Sequence, residues 1–266
     1  MDKKIKYLGD YINSLQSQGC YTFLKEEAKD ALGCSDDAFR SNIKRLSKIN
    51  KVHYLKKGLY IIIPLEYLHM QAPPANWYID ALMKHMKIPY YVGLLTAASY
   101  HGASHQASQI YQVMVDRSLP PLRVGRSTIR FYKNSLIETA KTISLKSHTG
   151  LFIVSSPEQT VLDLVNYIEA SGGLNNISTI LEELQENMSD LLLSKVLHDK
   201  VSASSLQRLG FILDLLNSMK LSNVIRNALK KRKIQPILLN PSSQKKAFEK
   251  NKEWQININD KIETDI

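Results

Sequence analysis

The chain has 266 residues, enough for two domains with separate cores, and its 35 Lys and Arg against 25 Asp and Glu give a formal net charge of +10. Residues 1 to 70 hold 12 basic and 8 acidic side chains, leaving +4 there and +6 beyond, so an acidic or polyanionic partner is open to both halves. Cys20 and Cys34 are the only cysteines, form no CxxC pair and give no zinc site without distant histidines; no apolar run reaches spanning length, and Met1 to Lys6 is charged rather than signal-like. The expectation is a reduced, cytoplasmic protein without internal repeats.

Ile5, Leu8, Ile12 and Leu15 recur at helical spacing, which predicts an amphipathic helix over residues 2 to 18 that ends near Gly19. Thr22 can open a second helix carrying Leu24, Ala28, Ala31 and Leu32, stopped by Gly33. Ser35 is then an N-cap, and Asp36 and Asp37 put negative charge where the dipole of a third helix favours it. On that helix Phe39, Ile43, Leu46 and Ile49 fall on one face. Arg40, Ser41, Lys44, Arg45 and Lys48 fall on the other or flank it. Val52 to Leu55 and Leu59 to Ile63 are β-prone runs joined by Lys56, Lys57 and Gly58, a hairpin with a basic tip.

Helix, tight turn, basic helix and hairpin in this order predict a winged helix-turn-helix over residues 1 to 72. In duplex recognition a helix carries polar side chains to base edges and flanking cations hold phosphates. Arg40, Ser41 and Lys44 are the groove candidates, with Arg45 beside them; Lys48, Lys56 and Lys57 suit phosphates. A solvated basic face and a protein-docking module are the competing readings of the same residues.

Pro64, Pro73, Pro74 and Asn76 interrupt the periodicity and place a domain exit near Pro73. Trp77 to Lys87 reads as a helix, and residues 90 to 105, with Gly93, Ala97 and Ala98 among larger apolar side chains, as a buried one. Short strands are expected at Ile110 to Val115, Ser127 to Phe131, Ile143 to Leu145 and Leu151 to Val154. Between them lie Arg117, Arg123, Arg126, Arg130 and Lys133, five cations with no acid among them after Asp116. Ser156 as cap, Pro157 at the first helical position and Gln159 completing a capping box predict a strong helix start. Helices follow at roughly 175 to 187, 189 to 199, 204 to 218 and 222 to 230; the basic run Lys230 to Lys233 suits a helix end. Trp254 to Ile258 alternates like an edge strand, and Asn259 to Ile266 reads as a loose tail. The fold class is therefore α+β, a winged helix-turn-helix followed over residues 73 to 266 by a small sheet with a helical bundle.

Nothing in the chain carries a catalytic signature. It holds no GxxxxGK[ST] loop, no GxSxG elbow, no HExxH and no acidic pair beside a glycine-serine loop. His101 and His105 could share a helical face, but no third metal ligand accompanies them. Glu158 has a dipole role in a first helical turn, which favours a structural part for it and Asp163. An enzyme or a docking adaptor in the second domain, with the winged helix as targeting module, is the alternative function.

Three segments in order, Tyr91 to Gly102, the Ser156–Pro157–Glu158 helix start with Asp163 downstream, and Asn251 to Asn257 around Trp254, make the chain resemble the AbiEi family of bacterial antitoxins, the regulatory component of abortive-infection (type IV) toxin–antitoxin pairs. The resemblance implies an N-terminal domain that binds inverted repeats in its own promoter. It also implies a C-terminal domain that counters a nucleotidyltransferase-like toxin without a stable complex, no enzymatic activity, no cofactor, and a basic C-terminal surface that Arg117, Arg123, Arg126 and Arg130 would suit.

Overall fold

The structure, a computed structural model, describes residues 7–103, 110–198 and 200–263. Their fold is mixed α and β, with three sheets and ten α-helices among the described residues. Two compact units form, interleaved in sequence: the described residues of Met1–Tyr91, Gln109–Ser135 and Ser144–Ile153 make one, those of Val92–Ser108, Leu136–Ile143 and Val154–Ile266 the other.

The first unit opens with helix α1 (Leu8–Ser17), strand β1 (Thr22–Leu24), helices α2 (Lys25–Leu32) and α3 (Asp36–Lys48), and strands β2 (Val52–Lys56) and β3 (Leu59–Ile62). β3 lies between β1 and β2, antiparallel to both. Leu8, Ile12, Phe23, Ala28, Phe39, Val52 and Ile62 form one core to which all six of these elements contribute. Each large apolar side chain so buried stabilises by about 1.5–3 kcal/mol. The expected helix start at Thr22 is wrong by three residues. Thr22 and Phe23 pair with Ile61 and Tyr60, the Phe23 and Tyr60 rings stack at 5.4 Å, and α2 starts only at Lys25, where the Glu27 carboxylate accepts from the Leu24 amide at 3.3 Å.

Helices α4 (Ile79–Met86) and α5 (Leu94–Tyr100) and strands β4 (Tyr90–Val92), β5 (Ile110–Val115), β6 (Leu122–Val124), β7 (Ser127–Lys133), β8 (Thr142–Ser147) and β9 (Gly150–Ser155) follow. The strands form one sheet in the order β6-β7-β5-β4-β9-β8, with β5 parallel to β7 and β6 antiparallel to it. Residues 90 to 105 are therefore not one helix. Tyr90 to Val92 is a strand, held by the parallel pairing of Val92 with Val154, and helix begins after the extended Gly93. Near this sheet, within the first unit, Trp77 stacks on His148 at 4.4 Å and meets Tyr21 and Tyr67 at 4.9 and 5.3 Å.

The second unit is built on helix α6 (Pro157–Asn166), nearly all of it buried. Ser156 caps it by accepting from the Gln159 amide. The Gln159 side chain does not complete a capping box, because the Ser156 amide already donates to the Lys141 carbonyl at 2.8 Å. Gln159 instead accepts from the Lys141 amide and donates to Asp163 Oδ1 at 2.9 Å. Glu158, 1% exposed, accepts from the Ser189 amide and so fixes the start of α8 (Asp190–Val196). Helices α7 (Gly173–Leu184), α9 (Ala203–Leu215) and α10 (Met219–Leu229) complete the bundle. No helix among the described residues is long and apolar enough to cross a membrane.

The chain finishes with β10 (Ile237–Leu238), β11 (Glu249–Asn251) and β12 (Ile256–Ile258). The expected edge strand is the central one: β12 runs between β10 and β11, and Trp254 precedes it in a turn. The Trp254 indole is buried, donates through Nε1 to Asp214 Oδ2 at 2.7 Å and lies under the Arg226 guanidinium at 5.0 Å. Gly210 of α9 gives the ring its place, since a Cβ there would overlap the indole. Gly210→Ala is expected to lower stability by about 1–3 kcal/mol through overpacking, read by thermal or denaturant unfolding; the loss shrinks when Trp254 is also replaced by Leu. An unchanged midpoint for Gly210→Ala would contradict this packing.

Candidate nucleic-acid interface

α3 is tied to α2 by charge as well as by the turn. Ser35 accepts from the Ala38 amide, Gly33 takes the left-handed conformation that ends α2, and the Asp36 carboxylate is gripped by Lys29 at 2.6 Å and Lys25 at 3.2 Å. The Lys29 ammonium, with Lys25 beside it, holds the Asp36 carboxyl below the ordinary carboxylate range. Asp36 therefore does more than complement the helix dipole: it joins two helices. Phe39 is buried and Ile43 and Leu46 pack on the same core, which turns the opposite side of α3 outward. Ile49, expected on the apolar face, is 54% exposed because the helix ends at Lys48 and the chain turns away.

Arg40, Ser41, Lys44, Arg45 and Lys48 are all exposed on α3. Arg40 lies 3.6 Å from Asp37 and Arg45 donates to Asn42, both within the helix. Lys44, Lys48, Lys56 and Lys57 form no ion pair with the described residues. Lys56 and Lys57 sit at the β2–β3 turn, where Lys56 pairs with Leu59 around the two residues Lys57 and Gly58.

The sheet arginines do not form one group. Arg117 is held by its neighbour Asp116 through two contacts of 2.7 Å. Arg123 on β6 and Arg130 on β7 are exposed, and since Arg123 pairs with Thr128, the alternation of β7 puts the two arginines on one face of the sheet. Arg126 is exposed in the turn between these strands, its amide donating to the Met70 carbonyl at 3.0 Å. β2 and β6 are in contact within the first unit, with the His53 ring of β2 against the Arg123 backbone.

Residues 91–215 match the model of the AbiEi antitoxin C-terminal domain. This stretch of the chain is thus an AbiEi antitoxin C-terminal domain. The family of that domain implies a toxin as functional partner in general. The crystal structure of the RV2827C protein from Mycobacterium tuberculosis has a similar fold, with a TM-score of 0.69 at 16% identity over 94% of this chain and 90% of that one. No curated protein matches significantly.

Within the AbiEi span, the residues weighed for chemistry are occupied structurally. His101 Nε2 is 2.7 Å from the Ser155 carbonyl, while His105 lies outside the described residues. Glu158 and Asp163 are buried in the α6 network. No group of three His, Cys, Asp or Glu side chains among the described residues could hold a metal ion. Sequence reading missed the Lys25–Asp36–Lys29 grip and both ring contacts of the hairpin, at His53 and at His85, whose Nε2 lies 3.0 Å from the Lys57 carbonyl; only the acid and bases at helix ends hinted at the first.

Burial pulls the His53 pKa below the ordinary histidine value, against the hydrogen bond to Arg123. The unfolded chain takes up this proton near pH 6.5 and the folded chain only at lower pH. The fold is therefore at full stability above about 6.5 and weakens as pH falls from there until the folded group titrates. His53→Gln is expected to remove that part of the acid loss, measured as melting temperature between about pH 7.5 and 5; identical pH profiles for both proteins would contradict it.

Proposed function

We propose that this protein is a sequence-specific DNA-binding repressor of its own operon and the antitoxin to a nucleotidyltransferase-like toxin encoded beside it, acting without a stable complex and without enzymatic activity. Residues 1 to 72 are its winged helix-turn-helix, and residues beyond them carry the antitoxin function. The observation that carries this reading is the outward face of α3: its apolar side is committed to the core, its other side is basic, and Lys44 and Lys48 are spent on no internal acid. The rigid turn to α2 and a two-residue hairpin tip with Lys56 and Lys57 support docking on a duplex, with α3 in the major groove and the wing on phosphate.

In this account Arg40, Ser41 and Lys44 reach base edges, Arg45 flanks them, and Lys48, Lys56 and Lys57 hold phosphates. Arg123, Arg126 and Arg130 extend the basic surface onto the sheet beside the wing. Arg117 contributes less, because Asp116 neutralises it locally.

Arg40→Ala or Lys44→Ala is expected to cost about 1–3 kcal/mol on the operator and to relax selectivity at one base pair, whereas Lys57→Ala weakens all sequences alike. Equilibrium binding to operator variants separates the two classes. Uniform loss on every sequence for the α3 substitutions would overturn the assignment of base contacts.

A further inference from the structure

The hairpin tip is built from residues poorly suited to it. A type I′ two-residue connection between antiparallel strands needs positive φ at both central positions, which favours Asn or Gly followed by Gly. Gly58 satisfies this at φ +81, but Lys57 sits at φ +50 with a side chain that this conformation disfavours. Local sequence therefore does not secure the turn, and a lysine kept in a strained position at the extreme of a hairpin points to use of its side chain.

What secures the turn comes from elsewhere in the chain. The Lys57 carbonyl accepts from His85 Nε2 of α4 at 3.0 Å, and the Gly58 carbonyl accepts from the Lys25 amide at the start of α2 at 2.8 Å. Both central carbonyls of the turn are thus fixed, one by the helix that leads into α3 and one by a helix beyond Pro73. The ordinary expectation that an exposed tip is mobile does not apply to a turn pinned at both carbonyls.

We propose that His85 is the positioning residue of the wing: by donating to the Lys57 carbonyl it holds the strained turn and aims the Lys57 ammonium at a phosphate of the duplex. The inference rests on the DNA-binding reading and adds to it a residue outside the winged segment. His85 touches no DNA in this arrangement, and its effect runs entirely through Lys57.

The test measures binding of the full chain to its promoter DNA across a salt series for wild type, His85→Ala, His85→Gln, Lys57→Ala and the His85→Ala/Lys57→Ala double variant. Loss of one phosphate contact lowers the slope of log affinity against log salt by about 0.9. His85→Ala is expected to lose that slope and several-fold affinity, as Lys57→Ala does. The double variant should bind no more weakly than Lys57→Ala alone, and His85→Gln, whose amide can still donate, should stay near wild type. A wild-type slope for His85→Ala, or losses that multiply in the double variant, would overturn the proposal. Amide hydrogen exchange across Lys56 to Leu59, made without DNA, reads the clamp by itself: faster exchange in His85→Ala supports it and unchanged exchange overturns it. Failure of wild type to bind the promoter sinks the DNA reading instead, so the two failures are distinguishable.

Discussion

A helix that begins inside a protein must find partners for its first amides, and the second unit is arranged around meeting that demand at α6. Ser155 and Ser156 arrive at the end of β9, Ser156 caps, and the Ser155 hydroxyl bonds Thr160 at 2.7 Å. Four further segments supply what remains: Lys141 meets Ser156 and Gln159, His101 meets the Ser155 carbonyl, Val92 accepts from the Ser155 hydroxyl, and Ser189 donates to Glu158. Buried polar groups left unpaired cost roughly 1–3 kcal/mol each. The network therefore makes the positions of α5, α8 and residue 141 conditional on one helix start. This lies within the span matched to the AbiEi domain, and it accounts for the acidic residues there without any reacting group.

The surplus of positive charge divides by use. Arg226 binds Asp214 and Glu253 beneath which Trp254 sits, Arg208 donates to the Leu238 and Leu239 carbonyls, and Arg232 to the His198 carbonyl. These guanidiniums are structural, since a planar fork can satisfy several carbonyls at once. Lys25 and Lys29 are consumed at the α2–α3 corner and Arg117 by its neighbour. Among the outward-facing cations of the first unit are Arg40, Lys44, Arg45 and Lys48 on α3, Lys57 at the β2–β3 turn, Arg123 on β6 and Arg130 on β7. Flexible point charges on a rigid support are what contact with a phosphate chain requires.

The parts of the fold legible in the sequence are those settled by neighbours along the chain. Ser35 and Ser156 cap as expected because capping is chemistry over three residues, and Ile110 to Val115 is a strand as its β-prone run predicts. The misread parts depend on distant partners. Thr22 to Leu24 becomes a strand because of Leu59 to Ile61, and Tyr90 to Val92 because of Val154. Gln159 leaves its capping box for Lys141. At the candidate interface, the exposure of the α3 cations followed from helical periodicity. The fixing of the β2–β3 turn did not, because nothing near Lys57 announces His85.

The account turns on whether the outward face of α3 and the wing read a duplex. The direct measurement is binding of the purified protein to DNA from upstream of its own gene, against scrambled DNA of the same length, over a range of salt. The account predicts a clear preference for the upstream DNA together with a steep fall of affinity with salt. Equal, weak binding to both DNAs would contradict it and leave only nonspecific charge.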